Sequence, residues 1–474
     1  MLRKTLLEYP CRPAWPWINR GQLVGFFVWL VFSLLANPPA QAQAPGAPPS
    51  QPVPSVANLP QCIDFALRNQ PLVRQSQLDE QIGERNIRIG LSAWLPQING
   101  TASYTRNIQL QTTVFPNLND PTGPQQVIRI GLNNSSTIGV AASQLLFSND
   151  VLLAARSVRS TRLVYQQTTT ANKIDVVTNV SKAFYDILLT EEQLKILDED
   201  IVRQQRQVKD SKARLDVGVV DKTDYLRATV SARNAYAQRR TTAAALPGKY
   251  STLKQLMGLG PDKPLALQYD TLQMVRETQL DTAEQLVPER RIEVQQLLTQ
   301  KRLQSFNIDY YRYGFLPNLS SFYNYNRVFQ NNEFSELYKT AYPNQQAGMQ
   351  LGLPIFTGLR RIQNLKIARL QDERLDLDLF NTKNQITTEY DQAMGVYKGA
   401  VSQLNALQEN LGDAKEVYRV INLQYREGIK TFLELTVAEA DLRTAQLNYY
   451  NALFNVLSSK LDVQRALGNI TFNQ

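Results

Sequence analysis

Residues 214–224 read Arg214-Leu-Asp-Val-Gly218-Val-Val-Asp-Lys-Thr-Asp224, and a related turn, Tyr425-Arg-Glu-Gly428, lies in the second half of the chain. The two glycines are 210 residues apart (428 − 218). Other identical residues share this offset: Ala228 and Ala438, Arg233 and Arg443, Ala235 and Ala445, Gly258 and Gly468. A constant offset of this kind indicates an internal duplication, so the chain is predicted to contain two copies of one structural unit.

A long helix is predicted before each glycine turn. The stretch from about 149 to 216 contains neither proline nor glycine, and its counterpart from about 359 to 427 contains no proline. Each stretch predicts an uninterrupted helix of roughly 65 to 70 residues, near 100 Å long at about 1.5 Å per residue. A second helix of about 35 residues is predicted to return toward Gly258 or Gly468. Each half is therefore expected to form a long antiparallel helical hairpin.

The second long helix carries the seam of a coiled coil, because apolar residues recur at alternating spacings of three and four: Leu404, Leu407, Leu411, Ala414, Tyr418, Ile421 and Tyr425. The first copy has a matching series: Leu194, Leu197, Ile201, Gln204, Val208, Ser211 and Leu215. Its two polar members, Gln204 and Ser211, weaken the apolar seam. An ordinary amphipathic helix is the alternative, but such helices average only about 11 residues. Helix pairing along both hairpins is therefore expected.

The segments before the long helices alternate apolar and polar residues with a period of two, which is typical of strands. Each half predicts a pair of strands, at about 97–113 with 136–146 and at about 318–329 with 346–355. Four strands cannot close a membrane barrel alone, because such barrels begin at about eight strands. The sheet is therefore expected either to close with strands of other subunits or to cap the coiled coil as a soluble sheet.

The N-terminus has the pattern of a secretory signal. An uncharged, mostly apolar run from Leu23 to Ala36 follows a basic stretch and leads into Pro39-Ala-Gln-Ala42, which predicts a signal peptide over residues 1–42. An uncleaved anchor is the lesser alternative, because a spanning helix needs roughly 18 to 20 apolar residues. The Pro-rich residues 43–60 are predicted to form a flexible segment. The two copies, each a helix, two strands and a long hairpin, are assigned to residues 61–270 and 271–474.

Composition argues against several classes of protein. The formal net charge is +9, but no compact basic patch with interleaved aromatic residues is present, so no nucleic-acid partner is expected. The chain has no histidine, which removes the usual metal ligand and both Ser-His and Cys-His catalysis. Cys62 would be the only cysteine after signal cleavage, so no intrachain disulfide is available. We therefore expect neither an enzyme nor a bound cofactor or metal ion.

Several short sequence motifs, spread over essentially the whole mature chain, resemble those of the TolC family of outer-membrane efflux channels. They are the turn at 214–224, the Tyr425-Arg-Glu-Gly428 turn, Leu353-Pro-Ile-Phe-Thr-Gly358, and the junctions Leu95-Pro96 and Leu316-Pro317. The resemblance implies an α+β membrane protein in which four strands per protomer join those of two other copies. The homotrimer would form one twelve-stranded transmembrane β-barrel, continued by a long α-helical coiled-coil barrel across the periplasm.

The same resemblance implies roles for the hairpin tips. A periplasmic adaptor protein is expected to contact Val217, Gly218, Val219, Val220, Gly428, Ile429 and Lys430. The alternative is that both glycines simply cap the long helices, which is the usual role of glycine at that position.

A closed periplasmic gate is the second implied feature of the tips. Its polar links correspond to Asp224, Tyr425 and Lys430, and its acidic ring to Glu434, while Val437 occupies the place of a second acid. Lys430 stands where an arginine is familiar, and lysine makes a point contact where arginine makes a bidentate fork. Alternatively, helix capping alone accounts for two pairs spaced three apart: Asp221 with Asp224, and Thr431 with Glu434.

The expected function is that of an outer-membrane exit channel in a tripartite efflux or type I secretion system. Substrates driven by an inner-membrane pump would pass through it passively, and drug efflux and protein secretion remain open as alternatives for its cargo. The expected partners are two further copies, the adaptor, the pump and outer-membrane lipid. The rival function is that of a secreted or periplasmic coiled-coil scaffold or adaptor, which would leave membranes without detergent.

Overall fold

The computed structural model describes residues 56–115, 126–269 and 271–470. The predicted signal peptide, residues 1–42, and most of the Pro-rich segment lie outside the described residues. The end of that segment differs from the expectation of a flexible chain, because Val56–Ala57 form a short strand and a helix begins at Leu59.

The described residues form eight strands and eight helices. The strands are β1 (Val56–Ala57), β2 (Gln97–Arg106), β3 (Gln111–Phe115), β4 (Gln126–Ile130), β5 (Asn134–Phe147), β6 (Ala266–Leu267), β7 (Asn318–Asn331) and β8 (Tyr342–Gly352). The helices are α1 (Leu59–Asn69), α2 (Pro71–Ser92), α3 (Asn149–Asp216), α4 (Lys222–Met257), α5 (Thr271–Glu277), α6 (Ile292–Arg312), α7 (Arg360–Arg426) and α8 (Phe432–Leu467). Short 3-10 turns span Pro288–Arg290 and Phe334–Glu336.

The two long hairpins are confirmed. In the first hairpin, α3 has 68 residues and α4 has 36; in the second, α7 has 67 residues and α8 has 36. At about 1.5 Å per residue, α3 and α7 are each about 100 Å long. A glycine follows each long helix, as the sequence predicts.

The main sheet is antiparallel and has the strand order β2-β5-β7-β8. Its strands match the predicted ones with shifted ends, since the first strand stops at Arg106 and the last spans Tyr342–Gly352. The sequence analysis missed the separate hairpin of β3 and β4, and it assigned the first three residues of β3 to the end of the first strand. Strand β1 pairs in parallel with β6 away from the main sheet.

The register separates the main sheet into an apolar face and a polar face. The apolar face carries Ile98, Ala102, Ile138, Val140, Ala142, Tyr323, Met349 and Leu351. The polar face carries Asn99, Thr101, Ser103, Thr137, Ser143, Asn324, Asn326, Asn344 and Gln346. Side chains of cross-strand partners point the same way, so each face extends across all four strands. The division has exceptions, because Arg106 and Arg327 lie on the apolar face and Phe322 and Val328 lie on the polar face.

A hydrophobic core joins the helices below the sheet. It contains Val180, Ile187, Leu188, Leu253, Leu453 and Val456, all of which are buried. Cys62 is buried in the same core, and this burial raises the pKa of its thiol to about 12, which keeps it protonated at neutral pH. No helix in the described ranges combines the length and the apolar character needed to cross a membrane.

Candidate functional site at the hairpin tips

Both glycine turns close with the same backbone geometry. Gly218 has φ of +73° and Gly428 has φ of +75°, which is the left-handed conformation that residues with a Cβ disfavour. The N–H after each glycine donates back into the helix, from Val219 to the Arg214 carbonyl at 2.9 Å and from Ile429 to the Gln424 carbonyl at 2.9 Å. Both glycines therefore cap the C-terminal ends of their helices, as the alternative to adaptor contact predicts.

Branched apolar side chains project from both turns. Val217 is 72% exposed, Val219 is 70% exposed and Ile429 is 70% exposed, whereas Val220 is half-buried. The backbone around both glycines is open, because a Cβ added at Gly218 or Gly428 would meet no heavy atom within 4 Å. Capping explains the glycines but not the exposed valines and isoleucine beside them.

At the second tip, the predicted capping pair of Thr431 and Glu434 is present. The Glu434 N–H donates to Thr431 Oγ1 at 3.3 Å, and the Thr431 N–H donates to Glu434 Oε2 at 2.9 Å. Lys430 Nζ also donates to Glu434 Oε1 at 2.6 Å. The Lys430 hydrogen bond and the bonds from Thr431 lower the pKa of Glu434 to about 2, so this carboxylate is ionised at neutral pH.

At the first tip, the expected capping pair is not formed. The Asp221 carboxylate makes no side-chain bond to the backbone of α4 and accepts a hydrogen bond from the Thr223 hydroxyl at 3.1 Å. The Asp224 N–H donates to the Asp221 backbone carbonyl at 3.2 Å, and not to the Asp221 side chain. The prediction of a side-chain capping pair was therefore wrong for Asp221 and Asp224.

Tyr425 lies in a small apolar cluster that joins the two hairpins near their tips, together with Ala228, Phe432 and Leu435. The centres of the Tyr425 and Phe432 rings are 6.2 Å apart. The Arg214 guanidinium lies 4.7 Å from the centre of the Tyr425 ring, a distance suited to a cation–π contact. Arg214 belongs to the turn at residues 214–224, yet the sequence analysis predicted no role for it. Its partner Tyr425 lies on another helix, and the spacing of neighbouring residues does not reveal such a contact.

The structure brings only some predicted gate residues together. Lys430 contacts Glu434 within one turn of α8. Within the described chain, neither Tyr425 nor Lys430 forms a hydrogen bond or an ion pair with the Asp224 carboxylate. The expected links of Asp224 therefore do not form inside one protomer.

A second polar group, which we call the hairpin joint, connects α3 to α8 above the tips. It consists of Asp200, Arg203, Gln204, Glu439 and Arg443. The Asp200 side chain is fully buried, 3.0 Å from Arg443 Nη1 and 3.5 Å from Arg203 Nη2. Gln204 Nε2 donates to Glu439 Oε2 at 2.9 Å. The joint therefore consists of polar side chains at the contact between the two hairpins.

Burial dominates the chemistry of the joint. It raises the pKa of Glu439 to about 7, although the positive charge of Arg203 acts in the opposite direction. Sequence reasoning gave no role to Asp200, Arg203, Glu439 or the joint as a whole. The only signal was Gln204, which appeared as a polar member of the first seam and in fact meets Glu439 there.

Comparisons with known proteins cover both hairpins. A family model described as "Outer membrane efflux protein" matches residues 62–259 and 284–469. The outer membrane protein TolC of Vibrio cholerae is 22% identical over 420 residues, which cover 87% of this chain and 91% of that protein. The proteases secretion protein PrtF of Dickeya chrysanthemi is 22% identical over 420 residues, which cover 86% of this chain and 87% of that protein.

The fold is shared with solved structures. The open-state outer membrane channel MtrE of Neisseria gonorrhoeae matches with a TM-score of 0.68 at 18% sequence identity. The match covers 86% of this chain and 88% of that one. At this identity the likeness concerns the fold alone.

Proposed function

Because this chain belongs to the outer membrane efflux protein family, we propose that it is the exit duct of a tripartite efflux or type I secretion system. The protein is an outer-membrane efflux channel, and family membership disfavours the rival function of a secreted or periplasmic scaffold. The observation that carries the proposed duct is the four-stranded sheet, whose apolar face is suited to lipid and whose polar face is suited to water.

We propose that three copies close this sheet into one barrel. Strands β2 and β8 lie at its edges, and in the described part of the chain neither pairs with a strand on its outer side. Lipid offers no partner for unpaired backbone N–H and C=O groups, so an open sheet edge is not tolerated there. Three sheets of four strands give twelve, which exceeds the minimum of about eight for a membrane barrel.

The helices support the same assembly. Large apolar side chains are exposed along α7, including Ile362, Leu370, Leu377, Phe380 and Val396. On α4, Leu226 and Val230 are exposed as well. Exposed apolar surface of this extent is typical of protein contacts, and neighbouring copies would cover it. The hairpins of three copies would then continue the barrel as a helical tunnel.

The proposed trimer is tested by determining the mass of the protein purified in mild detergent. We expect a trimer that runs as a monomer in gel electrophoresis only after heating. A monomer that retains its full β-sheet content and still inserts into liposomes would contradict the assembly, because one open sheet would then be stable in lipid.

We further propose that Glu434 sets the charge preference of the duct. The polar face of the main sheet carries no charged residue in its described strands, so the barrel section would be electrically neutral. Three copies of the ionised Glu434 carboxylate would form a ring of negative charge at the periplasmic constriction. In this arrangement Asp224, Tyr425 and Lys430 would link neighbouring protomers and hold the constriction closed.

Single-channel recording in planar bilayers tests the assignment of Glu434. Glu434→Gln removes one charge per protomer and is expected to lower the preference for cations over anions. Glu427→Gln is the matched control, because it removes the same charge from the same tip outside the proposed ring. An unchanged cation-to-anion ratio in Glu434→Gln would exclude Glu434 from the constriction.

The tips are proposed to bind a periplasmic adaptor protein, because Val217, Val219 and Ile429 expose apolar surface at both turns. Gly218, Val220, Gly428 and Lys430 complete that surface. A photo-crosslinking residue at Val219 or Ile429 is expected to capture the adaptor in intact cells. The same residue at Val202 serves as the control, because Val202 is also exposed but lies 14 residues (216 − 202) before the end of α3, about 21 Å from the tip at about 1.5 Å per residue.

The captured proteins would also identify the pathway. Mass spectrometry of the crosslinked complex is expected to find an adaptor and its inner-membrane pump, and the class of pump distinguishes efflux of small molecules from protein secretion. Crosslinks at Val202 but not at Val219 or Ile429 would contradict binding at the tips.

A further inference from the structure

The connection between β7 and β8, residues 332–341, folds back over the main sheet. We call this segment the outer loop. The Phe334 ring meets the Tyr104 ring edge to face, with 5.6 Å between centres. The Tyr338 ring meets the Phe329 ring in the same way at 5.2 Å, and the Tyr338 hydroxyl donates to Ser136 Oγ at 3.3 Å.

All three contacted sheet residues belong to one row of the apolar face. Tyr104 is the cross-strand partner of Ser136, and Ser136 is the cross-strand partner of Phe329. Side chains alternate between faces, so Ser136 lies on the same side of β5 as Ile138 and Val140. The outer loop therefore covers the end of the apolar face and not the polar face.

The loop is held there by packing and hydrogen bonds. Leu337 is only 1% exposed, which makes it one of the most buried side chains of the described chain. Asn134 Nδ2 donates to the Asn332 carbonyl at 2.9 Å, and Asn331 Nδ2 donates to the Glu336 carbonyl at 3.4 Å. These contacts fix the loop at one position on the sheet.

The placement of the loop has a consequence that rests on the proposed function. If the barrel turns its apolar face toward lipid, the outer loop lies outside the barrel wall and leaves the pore mouth uncovered. We propose that the outer loop anchors the channel in the outer leaflet, with Phe334 and Tyr338 at the boundary between headgroups and hydrocarbon. Phe334 is 62% exposed and Tyr338 is 54% exposed, so both rings retain surface for lipid.

The height of the row agrees with this boundary. From Leu319, near the other end of β7, to Phe329 is about ten residues, or about 33 Å of strand at roughly 3.3 Å per residue. With a strand tilt of about 40°, this corresponds to a height of about 25 Å, the usual thickness of the apolar band of a barrel. Tyr338 is an aromatic residue with a polar group, which favours that interface, and the Phe334 ring adds apolar surface beside it. The exposed ion pair of Lys339 with Glu336 would face the headgroups.

Tryptophan fluorescence in liposomes tests the anchor. Trp94 is the only tryptophan after the predicted signal peptide, so Trp94→Phe provides a background without tryptophan in the mature protein. Phe334→Trp and Tyr338→Trp then report on the outer loop. Met349→Trp reports on the apolar face, and Gln330→Trp is the matched control, because it adjoins Phe329 but lies on the polar face.

The reconstituted trimers are compared in liposomes with and without phosphatidylcholine that is brominated on its acyl chains near the headgroup. We expect the bromolipid to reduce the emission of Phe334→Trp or Tyr338→Trp at least by a third, and to leave Gln330→Trp nearly unchanged. The inference is overturned if both loop variants resist bromolipid but are quenched by aqueous iodide while Met349→Trp is quenched by lipid. If Met349→Trp also resists bromolipid, the proposed barrel itself is wrong.

Discussion

The two hairpins share their sequence pattern, their helix lengths and their glycine turns, but they do not share their packing. In the first hairpin most buried residues lie on the outgoing helix α3, and α4 is largely exposed. In the second hairpin the return helix α8 carries most of the buried residues, and α7 is largely exposed. A shared sequence pattern therefore sets the same local structure in both hairpins, whereas neighbouring helices decide which face is buried.

The difference follows from the surroundings of the two long helices. Helix α3 packs against the short helices α2 and α6 and against α8, while α7 packs against α6 and its own partner α8. Within one protomer, α7 therefore contacts one short helix, α6, whereas α3 contacts both α2 and α6. In the proposed ring, α2 of a neighbouring copy would complete the surroundings of α7 and cover its exposed apolar residues.

The largest effect is expected where equivalent arginines of the two copies have different surroundings. Arg443 contacts the fully buried Asp200, whereas Arg233 at the equivalent position of α4 is exposed. Arg443→Ala leaves a buried carboxylate with only the longer contact to Arg203, and should cost about 3 kcal/mol of unfolding free energy. Thermal unfolding of the purified protein measures this loss.

Arg233→Ala is the matched control for that substitution, and we expect a change within about 0.5 kcal/mol. Equal losses in the two variants would show that the hairpins are equivalent after all and would remove the assigned role of the joint.

The second prediction concerns the pH dependence of the joint. The pKa of Glu439 is about 7 in the folded protein against an ordinary value of 4.5, so the folded state binds this proton more tightly than the unfolded chain. The resulting stability is fully present below pH 4.5 and is lost as the pH rises through 7. A difference of 2.5 pKa units (7 − 4.5) at about 1.4 kcal/mol for each unit corresponds to a loss of about 3 kcal/mol.

Glu439→Gln is expected to remove this part of the pH dependence, as measured by unfolding at pH values from about 5 to 8. Glu434→Gln is the control, because the pKa of Glu434 is lowered to about 2 and its stabilising contribution is lost only in acid. If the unfolding free energy changes with pH equally in the wild-type protein and in Glu439→Gln, an ionisable Glu439 is not buried as proposed.

The third prediction compares the glycines that end the return helices with those at the tips. Gly258 and Gly218 have φ of +70° and +73°, so alanine is strained at both positions. At Gly258 an added Cβ would also lie 2.6 Å from the Asn69 carbonyl oxygen, whereas Gly218 has open space around it. We expect Gly258→Ala to cost about 2 kcal/mol or more and Gly218→Ala about 1 kcal/mol, measured by thermal unfolding.

The loss of unfolding free energy in Gly468→Ala should lie between the losses in these two variants. The nearest backbone atom to a Cβ added at Gly468 is the Arg290 carbonyl oxygen, at 3.3 Å. A larger cost at Gly218 than at Gly258 would refute the idea that packing, and not the turn alone, distinguishes these glycines.

The smallest effect is expected at the contact between the tips. Arg214→Ala removes the cation over the Tyr425 ring and should cost about 0.5 to 1 kcal/mol. Gln424→Ala is the control from the equivalent position of the second copy, and it should change the unfolding free energy by less. If both variants unfold at the same temperature, the contact of Arg214 with Tyr425 does not stabilise the tips.

Local patterns predicted the elements of this protein well. The absence of proline located both long helices, the period of two located the four strands of the main sheet, and the glycines marked both turns. The capping pair of Thr431 and Glu434 was also predicted, because capping involves residues three apart in one helix. The β3 and β4 hairpin was missed, since its short strands flank a connection that carries weak periodicity.

Contacts between distant elements were not predictable in the same way. Arg214 and Tyr425 are separated by most of the second copy, and the Gln204 bond to Glu439 joins residues 235 apart. Such pairs leave no local spacing to detect. Gln204 and Ser211 were therefore interpreted as weakening the coiled-coil seam of the first hairpin, although Gln204 donates a hydrogen bond to a buried carboxylate in the structure.

The two hairpins, the alternating strands and the family follow from the amino-acid sequence, because periodicity, helix breakers and repeated motifs act over a few neighbouring residues. The burial of α3 and α8, the shielding of Glu439 from water and the position of the outer loop on the apolar face follow instead from tertiary contacts. The physical reason is that burial and charge pairing depend on which distant segments meet. The periodicity of a helix or strand does not indicate which distant segment packs against it.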